Sequence, residues 1–231
     1  MTTLPAATTT RPRNRPAGWA AIASGGMGIM SFAFLIACAV FIASQKTEIK
    51  EFDDAPLLVR LLFKGSYVGN VLQALFMIPV AAAVHTLGRL RSQRMSRAAT
   101  ALGISALIAV VVLRGLPLVK PKVSDILFIG PMGFVGVWLI VVNWLLSGVL
   151  GRAIRTTGAI VGIGFVIAGL SFFFLGGLAE FTHPNSIRDD LVFHIGLWVG
   201  GIPAFILYPV WAILLGRKLL RSRDHETTPS V

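Results

Sequence analysis

The sequence predicts an all-α fold: a polytopic membrane protein whose six transmembrane helices form one bundle, with both termini on the cytoplasmic side. Hydrophobic residues make up 55% of the 231 residues and charged residues 13%, and the mean hydropathy is +0.78. A water-soluble globular chain is about 25% charged, so this composition indicates a membrane protein. Two further observations set the number and direction of the helices. The apolar residues fall in six long runs, and the basic residues collect in alternate connections.

A helix needs about 20 mainly apolar residues to cross the hydrocarbon core of a bilayer. Runs of this kind cover approximately 17–44, 67–87, 98–119, 126–150, 157–178 and 191–215. They form one transmembrane domain, 17–216, between a basic N-terminal tail, 1–16, and a basic C-terminal tail, 217–231. Each run is long enough to span once, and the sequence therefore predicts six crossings.

The first three spans are each marked by a different residue. Span one follows Arg15 and resembles a signal peptide, but its apolar run continues past Cys38 and is too long for the core of a signal, about 7–15 residues. We therefore expect a retained helix. Span two has Pro79 near its middle, where the missing N–H predicts a kink. Span three contains Arg114 near its outer end.

The last three spans contain glycines at helical spacing. Small residues let helix backbones approach closely in lipid, so these glycines predict helix–helix contacts. Span six also contains Pro203 and Pro209, which predict kinks of the kind that transporters use to build substrate sites. The glycines are Gly130, Gly133 and Gly136 in span four, Gly158 and Gly162 in span five, and Gly196 and Gly200 in span six.

Basic residues in short loops stay on the cytoplasmic side of a membrane. The face that carries both termini has 13 of the 21 Lys and Arg residues and two of the ten acids, and the other face has eight of each. The whole excess of +11 therefore lies on the face of the termini. This distribution predicts cytoplasmic termini in a bacterial inner (plasma) membrane. It also predicts that the basic excess contacts anionic lipid head groups rather than nucleic acid.

Amide and ionisable side chains inside a span are expensive, so each is a candidate functional residue. Asn70 and Gln73 lie three apart on one face of span two. Arg114 in span three and Asn143 in span four complete the candidate ligand-binding set. The alternative role for the amides is hydrogen bonding between helices, at about 0.6 kcal/mol each. No Asp, Glu or Lys falls near mid-membrane, which argues against a proton pump, a carboxylate-based cation antiporter or a retinal Schiff-base protein.

The outer loop and the start of span six hold the candidate metal ligands, Glu180, His183, Asp190 and His194. Asp190 and His194 lie four apart, which puts both on one helical face, and carboxylate and imidazole groups suit a divalent metal. The alternative is a solvated loop in which Arg114 pairs with an acid such as Asp190. No H-E-x-x-H motif is present, and we expect no cofactor.

Four apolar stretches carry a family resemblance. They read PAGW at 16–19, LQALFMIP at 72–79, VWLIVVNWLLSG at 137–148 and YPVWAILLGR at 208–217. In these stretches the chain resembles an uncharacterised bacterial six-span integral membrane protein family, a domain of unknown function. The resemblance implies a six-span fold and a bacterial origin, and it implies no activity or cofactor.

The function expected from these observations is that of a binding or structural membrane module rather than an enzyme. One alternative is a small-solute transporter or permease with a site near Asn70, Gln73 and Asn143, which requires these amides to line a common cavity. A second alternative is an outer-face metal-dependent enzyme. A glycine-lined face without a cavity would favour the structural module. The sequence leaves a homo-oligomer or a membrane partner open as further interactions.

Overall fold

The computed structural model describes residues 15–45, 55–88, 91–120, 123–183 and 190–221. Within these ranges the chain consists of helices and turns, without a strand. The helices are α1 (Arg15–Gln45), α2 (Leu57–Gly88), α3 (Gln93–Val119), α4 (Ile129–Leu145), α5 (Arg152–Phe174), a 3-10 helix (Gly177–Phe181), α6 (Leu191–Gly196), a π-helical turn (Leu197–Gly201) and α7 (Ile202–Arg221). Each of the six apolar runs is therefore largely helical.

Five helices of the described chain are long and apolar enough to cross a membrane, which is compatible with a multi-pass membrane protein. They are α1, α2, α3, α5 and the continuous helical segment Leu191–Arg221. The fourth run is different, because α4 has only 17 residues and extends about 25 Å at about 1.5 Å per residue. Turns at 125–128 and 146–149 take the place of the helical ends predicted there.

The second span begins ten residues earlier than the predicted start at 67, because α2 starts at Leu57. Tertiary packing explains the extension. Val59 and Ala55 are buried against Cys38 of α1, together with partly buried aromatic and aliphatic neighbours. The apolar face of this first part of α2 is covered by α1 although Arg60 and Lys64 interrupt its hydropathy. Cys38 itself is a small buried residue on a long helix.

The helices form a closed ring in which each one is antiparallel to its neighbours. α1 packs on α2, and the order continues through α3, α4 and α5 to α7, which returns to α1. The Ser24 hydroxyl donates to the Gln73 carbonyl at 2.9 Å across α1 and α2. Gly18 near the start of α1 lies against Leu220 near the end of α7. The first and last described residues therefore lie at the same end of the ring.

The two ends of the ring differ in charge. The end that contains the start of α1, which we call the basic end, carries nine basic residues and no acid among the described residues. Asp125, Glu180 and Asp190, the three described acids, all belong to the opposite end. The nine basic residues are Arg15, Arg91, Arg94, Arg97, Arg152, Arg155, Arg217, Lys218 and Arg221. The charged residues that lie outside the described ranges are Arg11, Arg13, Lys46, Glu48, Lys50, Glu51, Asp53, Asp54, Arg89, Lys122, Arg188, Asp189, Arg223, Asp224 and Glu226.

Aromatic rings fill the centre of the ring of helices. Trp138 of α4 and Trp211 of α7 are fully buried, with their ring centroids 6.2 Å apart in an edge-to-face arrangement. Tyr208 stacks on Trp211 at 6.0 Å and also contacts Phe165 of α5 at 5.5 Å. Offset and edge contacts of this kind add about 0.5–1.5 kcal/mol to the burial itself. This core connects α4, α5 and α7.

Close approach of glycines holds α4 against α5, as their spacing predicts. A Cβ on Gly136 would lie 2.5 Å from the Gly162 carbonyl oxygen, and a Cβ on Gly169 would lie 2.6 Å from the Gly133 Cα. No real Cβ fits at such distances, so only glycine permits this helix separation. The contact is internal to the ring.

The last span is irregular at its centre. A π-helical turn at Leu197–Gly201 separates α6 from α7, just before Pro203. Proline removes an N–H from the helical ladder and clashes with the preceding turn, which explains the break there. Pro209 lies inside α7 without interrupting it and packs against Gly25 and Gly28 of α1. The sequence predicts a kink at each proline of this span. The helix changes type next to Pro203, and α7 continues through Pro209.

Candidate functional site

A cavity of about 130 Å³, partly open to the outside of the ring, lies between the core aromatics and the opposite end. We call it the main cavity. Helices α1, α2, α3 and α7 contribute its walls, and the turn before α4 contributes one residue. The lining residues are Gly28, Ser31, Phe32, Leu35, Asn70, Gln73, Arg114, Phe128 and Phe205. A void of this volume has space for several water molecules.

A smaller void of about 20 Å³ adjoins the main cavity and shares five of its lining residues. We call it the inner pocket. It extends toward the core, where Tyr208, Met132 and Leu107 form its walls. The shared residues are Asn70, Gln73, Arg114, Phe128 and Phe205. Three of the four candidate ligand-binding residues therefore lie at the junction of the two voids.

Arg114 is held at this junction by one hydrogen bond and two aromatic rings. Its Nη1 donates to the Asp125 backbone carbonyl at 3.0 Å. Its guanidinium carbon lies 4.0 Å from the Tyr67 ring centroid and 4.4 Å from the Phe128 ring centroid. The side chain is only 7% exposed, and nothing in the described chain accepts a hydrogen bond from its buried Nε. The guanidinium is thus fixed in position with part of its donor capacity unused.

The turn between α3 and α4 explains this geometry. Lys120 caps α3, and the Val123 N–H donates to the Lys120 carbonyl at 3.0 Å. Asp125 and Phe128, in the turn before α4, both contact Arg114 near the end of α3. Tyr67 of α2 completes the arrangement, because its hydroxyl donates to Asp125 Oδ2 at 3.1 Å. Asp125 is not a lining residue of either void.

Gln73 is positioned by close packing between α1 and α2. A Cβ on Gly28 would lie 2.5 Å from Gln73 Nε2, so the glycine makes room for the amide. The Ser24 and Ser31 hydroxyls donate to the backbone carbonyls of Gln73 and Ser66, at 2.9 and 2.7 Å. Serines one turn on either side of Gly28 therefore tie α1 to α2 and set the position of Gln73.

Asn143 is not part of the main cavity or the inner pocket. It is buried at the contact between α4, α5 and α7, where its side chain and the indole of Trp211 both lie against Gly158. Its Nδ2 donates to the Leu139 carbonyl of its own helix at 2.8 Å. The structure thus brings together Asn70, Gln73 and Arg114, and it places Asn143 nearer the basic end.

The candidate metal ligands lie along the 3-10 helix and the start of α6. Glu180 is buried and His183 is exposed. Asp190 caps α6 by accepting from the Val192 and Phe193 N–H groups, at 2.7 and 3.2 Å. His194 Nδ1 lies 2.9 Å from the Asp190 carbonyl, so Nδ1 is the protonated nitrogen.

No group of three or more His, Cys, Asp or Glu placed to hold a metal occurs in the described part of the chain. Asp189 and the loop 184–189 lie outside it. The outer-face metal site therefore stays a prediction.

Sequence reasoning missed the residues that hold the polar set. Tyr67 and Phe128 were ordinary aromatic residues in apolar runs, yet they enclose the guanidinium of Arg114. Ser24, Gly28 and Ser31 occur at a spacing of three to four, which puts them on one face of a helix. A stripe of small and polar residues on a hydrophobic helix was the available signal for this contact.

No family model, no curated protein and no solved structure matches this chain. The resemblance to a bacterial six-span family therefore stays a prediction, and the function has to be argued from the site.

Proposed function

We propose that the chain crosses a bacterial inner membrane six times, with both termini in the cytoplasm. α4 together with the turns at 125–128 and 146–149 accounts for the sixth crossing, since its 17 helical residues are at the lower limit for a span, about 17 residues, and each turn extends the segment. The nine described basic residues at the basic end support its cytoplasmic location. They also support a role for anionic lipid head groups as partners at that end.

We propose further that this protein binds a small solute in the main cavity. The observation that carries this proposal is that Asn70, Gln73 and Arg114 line one cavity surrounded by apolar helices. Polar groups buried away from water cost free energy unless they find partners, and inside a membrane domain they commonly mark substrate pathways. Polar side chains that only joined helices would pack directly against one another and would not line a cavity.

The glycines support a solute-binding protein over a purely structural module. Gly133, Gly136, Gly162 and Gly169 are used in the contact between α4 and α5. Gly164 and Gly200 are likewise used between α5 and the π-helical turn. These small residues serve the assembly of the ring itself, and a cavity remains between its other helices.

Movement of the bound solute across the membrane is a second candidate function, with a site at Asn70, Gln73 and Arg114, since Asn143 does not line the common cavity that the sequence-based alternative required. The irregular last span favours it, because the π-helical turn Leu197–Gly201 directly precedes the helix that supplies Phe205 and Tyr208 to the two voids. π-helical turns are frequent at functional sites, and broken helices allow one part of a bundle to move against another. Proteoliposome efflux of the bound solute would test this function.

The test of solute binding uses two tryptophan substitutions on one helix. Leu35 lines the main cavity, while its neighbour Ile36 is 50% exposed on the outside of α1. The intact protein in lipid nanodiscs is heated with a panel of small anionic, neutral and cationic solutes. A ligand that binds only the folded state raises the Tm. We expect one solute class to raise the Tm of the wild type and of Ile36→Trp, and to have no effect on Leu35→Trp.

Two results would contradict the binding proposal. One is a panel in which no solute changes the Tm of the wild type. The other is a solute whose effect on Leu35→Trp equals its effect on Ile36→Trp, because that solute binds outside the main cavity.

A further inference from the structure

The walls of the main cavity and the inner pocket carry one positive charge and no negative charge. Arg114 is the only Lys, Arg, Asp or Glu that lines either void. Asp125 lines neither void; its backbone carbonyl accepts from Arg114, its carboxylate Oδ2 accepts from the Tyr67 hydroxyl, and the carboxylate attracts the guanidinium electrostatically. The charged group that a solute in the cavity meets is therefore the guanidinium.

Hydrogen-bond donors outnumber acceptors at this junction. A guanidinium has five N–H donors, and one hydrogen bond of Arg114 is used by the Asp125 carbonyl while the buried Nε has no partner in the described chain. The amides of Asn70 and Gln73 add both N–H donors and acceptor oxygens, so the excess of donors comes from the guanidinium, which has no acceptor. Ser31 uses its hydroxyl hydrogen on the Ser66 carbonyl. A ligand rich in acceptor oxygens matches this wall.

The size and the apolar part of the cavity limit the ligand further. About 130 Å³ accommodates a molecule of only a few non-hydrogen atoms. Phe32, Leu35 and Phe205 contribute large apolar side chains to its lining. The Asp125 carboxylate already attracts the Arg114 guanidinium, so a ligand with one negative charge leaves less charge uncompensated in a low-dielectric site than a dianion does. A carboxylate is planar and fits the fork of a guanidinium with two parallel hydrogen bonds.

Resting on the proposed solute binding, we infer that the ligand of the main cavity is a small monocarboxylate. Its carboxylate pairs with the free N–H groups of Arg114 and with the amides of Asn70 and Gln73, and its short apolar chain lies against Phe32, Leu35 and Phe205. The aromatic rings of Tyr67 and Phe128 hold the guanidinium in place for this contact.

The experiment compares propionate with propionamide and propylamine on the intact protein in lipid nanodiscs, at constant ionic strength with chloride as the balancing anion. The dissociation constant comes from the dependence of the Tm on solute concentration. We expect propionate to bind, and its uncharged isostere and the amine to bind at least about tenfold more weakly, since hydrogen bonds between charged partners are stronger than those between neutral ones.

Arg114→Gln supplies the variant test, and Arg91→Gln is its matched control. Arg91 also stacks on an aromatic ring, with its guanidinium carbon 4.3 Å from the Trp144 ring centroid, and donates to the Trp144 carbonyl at 3.0 Å. It lies at the basic end, far from the main cavity. We expect Arg114→Gln to weaken propionate binding about tenfold or more and Arg91→Gln to leave it unchanged. If Arg114→Gln fails to fold, Arg114→Lys keeps the charge and loses the planar fork.

The outcomes separate this inference from the proposed function. Equal binding of propionate and propionamide by the wild type would overturn the carboxylate inference, whatever the variants do. Unchanged propionate binding by a folded Arg114→Gln would overturn it as well. In both cases the loss of binding in Leu35→Trp would still support the main cavity as a solute site. Absence of any Tm change with every solute would overturn both proposals.

Discussion

The guanidinium carbon of Arg114 lies 4.0 Å from the centre of the Tyr67 ring, and the Tyr67 hydroxyl donates to Asp125 Oδ2 at 3.1 Å. One tyrosine on α2 thus contacts a buried cation on α3 with its face and the following turn with its hydroxyl. Such a cation–π contact contributes about 0.5–2 kcal/mol, depending on how far it is desolvated. It offsets part of the cost of burying Arg114 between apolar helices.

Substitutions of Tyr67 should separate the two contacts. Tyr67→Phe removes the hydrogen bond to Asp125 and keeps the ring over Arg114, so we expect a loss of about 1 kcal/mol in the free energy of unfolding. Tyr67→Leu also removes the ring and should lower the free energy of unfolding by about 1 kcal/mol more. Unfolding in mixed micelles with a denaturing detergent measures both.

Phe63→Leu is the control for Tyr67→Leu. Phe63 contacts Tyr67 edge-on at 5.2 Å, and its substitution removes a ring of similar size that does not lie over Arg114. Equal stability of Tyr67→Phe and Tyr67→Leu would mean that the contact between the ring and the guanidinium contributes nothing.

Gly136→Ala should separate α4 from α5. The added Cβ would lie 2.5 Å from the Gly162 carbonyl oxygen, and backbone atoms cannot move aside as a side chain can. Overpacking of this kind costs about 1–3 kcal/mol, which we expect as the loss in the free energy of unfolding. Gly26→Ala is the control, since nothing lies within 4 Å of a Cβ there. A Gly136→Ala protein as stable as Gly26→Ala would show that the two helices are not packed as described.

Asn143→Leu should leave solute binding unchanged, because Asn143 lines neither the main cavity nor the inner pocket. Its Nδ2 bonds to the Leu139 carbonyl within α4, so its amide serves the packing of that helix. Asn70→Leu removes a lining amide at similar side-chain volume and should weaken binding about fivefold or more. Dissociation constants from the Tm titration measure both. Equal losses in the two variants would indicate a site that extends to the basic end.

The orientation is tested by thiol labelling in intact cells. Gln93 at the basic end and Thr182 at the opposite end are both exposed, and Cys38→Ala removes the single native cysteine. In that background we expect a membrane-impermeant maleimide to label Thr182→Cys and not Gln93→Cys. Opened cells should give labelling at both positions, which controls for reactivity. Labelling of Gln93→Cys alone in intact cells would reverse the proposed orientation.

The sequence was sufficient to predict the helical class, the helical character of each apolar run and the charge difference between the two ends. These properties are local. Hydrocarbon leaves no partner for an unpaired backbone group, so a long apolar run forms a helix wherever it lies in the bundle. The spacing of Gly133 and Gly136 likewise predicted a contact surface, and the structure uses both against α5.

Tertiary structure decided which polar residues meet. Asn70, Gln73 and Asn143 are similar amides in similar spans, yet only the first two line the main cavity with Arg114. The rotation of each helix about its axis is set by contacts with distant segments, such as the fit of Gln73 against Gly28. Tertiary structure also decided the length of α4 and the position of the Phe128 ring over Arg114. Hydropathy records only how apolar a run is, and the facing of one helix toward another depends on packing between residues far apart in the chain.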